Sequence, residues 1–297
     1  MSEGAYLAHP DFVDELREEL GDVSERYDRL LIAPGPARAV VWAQNIWHDP
    51  QRLEISSIGQ GAKALRAMQR GWAHYPYEQH RRAELLREKL PHVSAKPLVF
   101  PHSRPSAPLG SWTLLDKNTL LCAPHCSSAF RNGEVQFVED KLTPPTRAYL
   151  KLWEALTLLD ERPGPGDVCL DLGSCPGGWT WVLQQLGASV ISVDKAPLDP
   201  QVGRLPGIEF RRESAFGLEP AGFERVDWIF CDVACYPKRL LNLVRTWIES
   251  GVCQRFVCTI KLQGVHDPAM LRAFASIPGS TLRHLWHNKH ELTWMLV

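Results

Sequence analysis

The sequence predicts an α/β protein in which a smaller N-terminal α/β domain precedes a doubly wound, mostly parallel sheet closed by an antiparallel hairpin. Three observations carry this expectation. The chain has 297 residues, which at about 150 residues per domain suggests two domains. From residue 146 onward, apolar runs of strand length alternate with helical stripes, the pattern of parallel strands joined by crossover helices. Between the halves, prolines at 97, 101, 105 and 108 forbid long regular structure, because proline fixes φ and lacks an N–H.

In the first half, Ala5–His9 is expected as a short strand, and Phe12, Val13, Leu16 and Leu20 form one apolar helical stripe. Arg29–Ala33 and Ala39–Gln44 are expected to pair around Pro34-Gly35-Pro36, and helices are expected at Gln60–Arg70 and Glu78–Leu90. Short strands at 112–122 and 134–138 then fall in the connecting stretch. The expected organisation is therefore an N-terminal domain at 1–95, a linker with short strands at 96–143, and a second domain at 144–297. That second domain opens with an amphipathic helix, Thr146–Leu159. Strands at 167–172, 189–194, 226–232 and 255–262 follow, with helices at 178–186, 238–249 and 268–275. Strands 281–286 and 291–297 close it as the antiparallel hairpin.

Apolar residues make up 44% and charged residues 23% of the chain, which excludes disordered, fibrous and collagen-like classes. No apolar run approaches the roughly 18 residues of a membrane span. The opening MSEGAYLAHPDF has neither a basic nor an apolar leader region, so a cytoplasmic location is expected. Eight cysteines without a C-x-x-C pair fit reduced, mostly buried thiols.

The net charge of −1 decides nothing, but its distribution is uneven. Residues 61–104 hold nine bases against three acids, +6, whereas residues 1–30 carry −6. A polyanion-facing segment and a solvated helix face fit the +6 stretch equally well. His284, His287 and His290 have a superficially metal-like spacing, but the expected strand–turn–strand turns them to changing faces, and no metal is expected. Cys122, His125 and Cys126 are expected to be structural. Trp42, Trp47, Trp72, Tyr75 and Tyr77 interleave with His and Arg, which suits stacking on single-stranded RNA. Core packing is preferred for each of them individually.

The most informative stretch is Val168-Cys-Leu-Asp-Leu-Gly-Ser-Cys-Pro-Gly-Gly-Trp179. A strand ends near Asp171, a glycine-rich loop follows, and a helix offering free N–H groups begins near Trp179. Glycines at 173, 177 and 178 fit neither G-x-G-x-x-G nor a phosphate-cradling P-loop. Asp194 ends the next strand, where an acid can accept from ribose hydroxyls. A nucleoside-containing ligand is expected.

This loop resembles the AdoMet (S-adenosyl-L-methionine) loop of FtsJ-type RNA ribose 2′-O-methyltransferases, and Val193-Asp-Lys-Ala-Pro-Leu-Asp-Pro200 resembles that family's second cofactor motif. Pro145-Thr-Arg-Ala-Tyr-Leu-Lys-Leu-Trp-Glu-Ala155 and Cys231-Asp-Val233 are most similar to the branch that methylates a cytidine ribose in bacterial large-subunit rRNA. The likeness covers about residues 110–297. It implies a Rossmann-like methyltransferase sheet, AdoMet as cofactor and RNA, expected to be rRNA, as substrate. The cofactor residues it implies are Gly173, Cys175, Pro176, Gly177, Gly178, Trp179, Asp194, Ser214 and Asp232. Where these enzymes often carry an acid facing the adenine, this chain has Ser214 beside Glu213.

The family's Lys-Asp-Lys-Glu tetrad maps onto Lys151, Asp232, Lys261 and Glu291. Strand-end geometry agrees, since Asp171, Asp194, Asp232 and Lys261 all end expected parallel strands, where ligands bind in open α/β sheets. Lys261 follows the apolar run Phe256-Val-Cys-Thr-Ile and is desolvated unless it pairs with a carboxylate. It is the candidate base for an RNA 2′-hydroxyl, or, if protonated, the group that stabilises the alkoxide. Two rival readings remain at this stage. A methyltransferase for a protein or small molecule would keep the glycine loop without needing the tetrad, and a non-catalytic RNA-binding module would tolerate loss of Lys261 or Asp194. Sequence alone leaves the oligomeric state unassigned.

Overall fold

The computed structural model describes residues 2–159, 161–262 and 267–297. The chain divides into two compact units, Met1–Leu98 with Ser103–Gln136, and Val99–His102 with Phe137–Val297. Among the described residues, no helix is long and apolar enough to cross a membrane.

The N-terminal unit begins with β1 (Glu3–Ala8), α1 (Val13–Leu20), β2 (Glu25–Tyr27), β3 (Leu30–Pro34) and β4 (Ala43–His48). It continues with β5 (Gln51–Glu54), α2 (Ile58–Met68), β6 (Trp72–His74) and α3 (His80–Arg87). Strands β7 (Gly110–Leu114), β8 (Thr119–Ala123) and β9 (His125–Cys126) complete it. One sheet runs β2-β3-β1-β4-β9 and a second runs β5-β8-β7-β6. Helix α2 starts where its sequence caps it. The Ser57 hydroxyl accepts the Gln60 amide at 3.2 Å while the Gln60 side chain accepts the Ser56 amide at 2.7 Å, a reciprocal arrangement that satisfies otherwise orphaned donors.

The pairing expected around Pro34-Gly35-Pro36 is corrected here. Strand β1 lies between β3 and β4 and pairs antiparallel with both. Residues 39–42 form no strand, because the Glu19 carboxylate takes the amides of Val41 and Trp42 at 2.8 and 3.0 Å. An amide spent on a side chain cannot join a ladder. The strands expected at 112–122 are β7 and β8, paired to each other inside the N-terminal unit's second sheet, and 134–138 forms no extended strand. Trp72 and Trp112 centre one apolar cluster, and Trp47 and Tyr75 another. Trp42, Trp47, Trp72 and Tyr75 are at most 5% exposed, so they are core rather than stacking platforms. Tyr77 is half-buried, edge-on to Tyr27.

The C-terminal unit begins with α4 (Tyr149–Leu158), β10 (Val168–Leu172), α5 (Gly178–Gln185), β11 (Ser189–Val193) and β12 (Ile208–Arg211). It then has β13 (Trp228–Cys231), α6 (Pro237–Ser250), β14 (Phe256–Lys261), α7 (Pro268–Ala275), β15 (Ser280–Arg283) and β16 (Glu291–Leu296). The seven strands are ordered β12-β11-β10-β13-β14-β16-β15. Strands β12, β11, β10, β13 and β14 are parallel neighbours, and β16 runs antiparallel to β14 and β15. The chain moves outward from β10 through β11 to β12 and then returns to β13 on the other side of β10. That reversal opens a crevice past the strand ends between β10 and β13, where ligands bind in such sheets. Helix α4 departs from expectation. It is not amphipathic, since every residue from Tyr149 to Thr157 is buried, including Lys151 and Glu154. Charged side chains survive there only with partners.

Candidate active site

The register of two strands assembles half of the site. Lys261, the last residue of β14, lies opposite Glu291, the first of β16. Asp232 follows directly on β13, and Lys151 enters from α4. The Lys151 Nζ donates to Asp232 Oδ1 and Oδ2 at 3.1 and 2.9 Å and to Glu291 Oε1 at 2.8 Å. The Lys261 Nζ donates to Asp232 Oδ1 at 2.6 Å and Glu291 Oε2 at 2.5 Å. Two ammonium groups and two carboxylates thus close a ring in which each charge meets two opposite ones. All four expected residues come together.

The ring is not equally open on all sides. Side-chain exposure is 9% for Lys151, 7% for Glu291, 17% for Asp232 and 21% for Lys261, so the outer edge is Lys261 with Asp232. Burial pulls the Lys261 amine down, but the carboxylates of Asp232 and Glu291 outweigh it and hold the amine above the ordinary lysine value. Burial likewise pushes Glu291 up, and the two lysines overcome this, bringing its carboxyl down to about 2. Lys151 also lies 5.9 Å from the centroid of the Trp179 ring, whose indole N–H is fixed by the Ala148 carbonyl at 2.9 Å.

Beside the ring is a cavity of about 410 Å³ lined by residues that follow β10, β11, β12 and β13. Of the expected cofactor residues, Gly173, Cys175, Asp194, Ser214 and Asp232 line it, together with Glu213, and Pro176, Gly177, Gly178 and Trp179 do not. Asp194 orders the loop, accepting the Cys175 amide at 3.0 Å and the Ala196 amide at 2.9 Å. Gly177 sits against protein neighbours rather than on the cavity wall. Its φ is +115°, and a Cβ there would meet Val202 Cγ1 at 2.9 Å, so protein packing and backbone conformation demand the glycine. Gly178 similarly faces Thr146, and Gly173 faces Val233 across the β10–β13 crevice.

Asp171 does not face the crevice either. It is 1% exposed, its Oδ2 accepts the Thr180 hydroxyl at 2.6 Å, and burial pushes its carboxyl up to about 7. Six of the eight cysteines are buried, and all eight are free thiols. Two of the three histidines of the closing hairpin are packed into it. His284 is fully buried with Nε2 on the Lys289 carbonyl at 3.0 Å, and His287 Nδ1 meets Glu154 at 2.7 Å.

Sequence reasoning missed Trp179 as the ring under Lys151, Glu154, and the pair of Arg239 and Phe216 at the cavity wall. The Arg239 guanidinium stands 3.8 Å from the Phe216 ring centroid. Glu154 carried a signal, an acid in a run of apolar helix three residues after Lys151. The Arg239–Phe216 contact carried none, since it joins residues from different elements.

Residues 145–262, which carry this crevice and three of the four ring residues, match the FtsJ-like methyltransferase family. This stretch is therefore similar to FtsJ-like methyltransferase domains. Among curated proteins the chain is 34% identical over 157 residues to the Ribosomal RNA large subunit methyltransferase M of Halorhodospira halophila, covering 50% of this chain and 46% of that protein. It is 42% identical over 169 residues to the protein of the same name from Xanthomonas oryzae pv. oryzae, covering 52% and 48%. The match thus spans about half the length of these relatives. Among solved structures, a candidate hemolysin from Lactococcus lactis aligns with a TM-score of 0.42 at 21% identity, over 52% of this chain and 89% of that one.

Proposed function

We propose that the protein is an AdoMet-dependent RNA ribose 2′-O-methyltransferase acting on ribosomal RNA, with Lys151, Asp232, Lys261 and Glu291 as its catalytic residues. One observation carries this reading: Asp232 belongs both to the charged ring and to the wall of the cavity, so a donor in the cavity and a nucleophile at Lys261 meet at one carboxylate. A methyltransferase for a small molecule needs no such ring.

The cavity fits AdoMet. Its volume lies in the range of small-molecule sites. Asp194 retains lone pairs for ribose hydroxyls beyond the two amides it accepts, and the buried Ser174 hydroxyl in the same loop is an unpartnered polar group. When bound, AdoMet supplies a methyl group on a positively charged sulfur. The protein's part is positional and electrostatic. Because Lys261 is held above the ordinary lysine value, it keeps its proton at neutral pH. It therefore donates to the ribose 2′-oxygen as negative charge builds there, the alkoxide-stabilising role rather than that of base. The 2′-hydroxyl proton leaves to solvent at the exposed edge of the ring as the C–O bond forms and the C–S bond breaks. Lys151, bonded to both carboxylates, keeps Asp232 and Glu291 aimed at Lys261.

Asp194→Ala is expected to weaken AdoMet binding by about 1–3 kcal/mol, roughly five- to 150-fold. Gly177→Val is expected to weaken it as well, through displacement of the loop against Val202. Calorimetry checks both, and unchanged affinity in both variants would place the cofactor elsewhere.

The N-terminal unit is proposed to dock RNA. Arg70 and Lys96 are exposed and, with Arg131, line a cavity of about 740 Å³ within that unit. Arg81 is exposed too, whereas Arg82 is half-buried, with its Nε and one terminal nitrogen shielded from solvent. Each phosphate contact on a single strand contributes about −0.7 to the slope of log K against log salt. Arg70→Glu with Arg81→Glu should lower RNA affinity and flatten that slope by about one unit or more, leaving AdoMet binding unchanged. In a salt titration, parallel lines of equal affinity would show this face to be merely solvated.

A further inference from the structure

Glu154 is a charged residue that the chemistry above does not use, yet it is 2% exposed. It lies three residues beyond Lys151 on α4, which puts both on one face of the helix. Its carboxylate accepts the amides of Trp286 and His287 at 2.8 and 2.9 Å and contacts His287 Nδ1 at 2.7 Å. A carboxylate offers only acceptors, so Nδ1 carries the proton of that bond.

Trp286 and His287 belong to the turn between β15 and β16, and that turn delivers Glu291 to the ring. The rest of the turn is locked as well. Asn288 is 5% exposed, and its Oδ1 accepts the Leu285 amide at 2.7 Å and the Thr293 hydroxyl at 3.1 Å. Its Nδ2 is directed at Glu291 Oε1 at 3.5 Å, and the Glu291 amide donates to the Lys289 carbonyl at 2.8 Å. Helix α4 therefore holds the hairpin twice. Lys151 grips the Glu291 carboxylate itself, and Glu154 grips the backbone that presents it. Burying a carboxylate costs several kcal/mol unless its bonds are well made, and apolar packing could hold a turn without that cost. What three directed acceptor bonds add is a fixed distance between α4 and the hairpin.

We propose that Glu154 is a positioning residue which, by clamping Trp286 and His287 to α4, sets where Glu291 meets Lys151 and Lys261. The consequence for catalysis rests on the methyltransferase reading above, but the positioning itself does not.

Glu154→Gln keeps the size and replaces one acceptor oxygen with a donor facing donors. The first readout is the titration of the Lys261 amine by NMR of labelled lysines, which needs no turnover, with Glu291→Gln as reference. In wild type the amine titrates above the ordinary lysine value. In Glu154→Gln it is expected to move down, in the direction seen for Glu291→Gln. The second readout is kinetic: kcat for RNA methylation is expected to fall at least tenfold, with the AdoMet Kd within twofold of wild type. A Lys261 titration that does not move would overturn the proposal, whatever the rate. A titration that moves in a protein transferring no methyl to RNA would sustain the clamp while removing the functional reading. If Glu154→Gln fails to fold, His287→Ala takes its place. The His287 side chain is 16% exposed and its loss leaves both backbone bonds to Glu154. A smaller shift in the same direction is expected, and its absence would equally overturn the clamp.

Discussion

Lys261→Ala is expected to lower methyl transfer about 10³-fold while AdoMet affinity stays within a few-fold of wild type. The reasoning is geometric. Lys261 is the most exposed member of the ring, at 21% of its side chain, and it is the amine that an incoming ribose can reach. Lys151 cannot replace it, because only 9% of its side chain is exposed. The pH profile separates the two roles open to the amine. Burial works against its charge, but Asp232 and Glu291 prevail and keep it protonated. With the proton in place, wild-type kcat should be nearly flat between about pH 7 and 9, well below the ordinary lysine value. A tenfold rise per pH unit across that range would make neutral Lys261 the base. Single-turnover transfer from labelled AdoMet measures both quantities.

Glu291→Gln should be the variant with the largest effect on stability. The Glu291 carboxyl lies at about 2 in the folded protein against 4.5 for the free group. A carboxylate depressed in this way stabilises the fold above the unfolded value, and the contribution disappears as pH falls through the folded one. The window is therefore from about pH 4.5 down to about 2, and the amount is on the order of 3 kcal/mol. Urea melts across this range should show wild type losing stability steeply. Glu291→Gln should start lower at neutral pH and decline with a shallower slope. Equal slopes would mean that the ring does not hold Glu291 ionised.

The C-terminal unit was legible where burial and chemistry coincide in short runs. Strands β10, β13 and β14 are apolar, largely buried stretches, and β13 and β14 end next to or at a charged residue at the crevice. That made both the sheet and the positions of Asp232 and Lys261 readable. Lys151 and Glu291 were readable as candidates for the tetrad chiefly through family resemblance, because nothing local says that a lysine in a helix will turn inward. Helix α4 looked amphipathic for the same reason. Its Lys151 in fact pairs with residues 81 and 140 positions away. Strand β12 was overlooked, since its four residues Ile-Glu-Phe-Arg bury little. In the N-terminal unit, the order β3-β1-β4 depends on long-range pairing that a turn at Pro34-Gly35-Pro36 does not encode. The glycines of the loop were legible as a strand-to-helix turn, but the packing around them was not. Their neighbours Val202, Thr146 and Val233 come from other elements, so the packing that requires them is invisible along the chain.

The most direct test of the account is to incubate the protein with labelled AdoMet and protein-free large-subunit rRNA, then digest the RNA with alkali and map the resistant linkage. A ribose bearing a 2′-O-methyl group cannot be cleaved there, so wild type should give one labelled, alkali-resistant dinucleotide, and Lys261→Ala should give none. Label recovered in an alkali-sensitive nucleotide, or a resistant product undiminished by Lys261→Ala, would contradict the account.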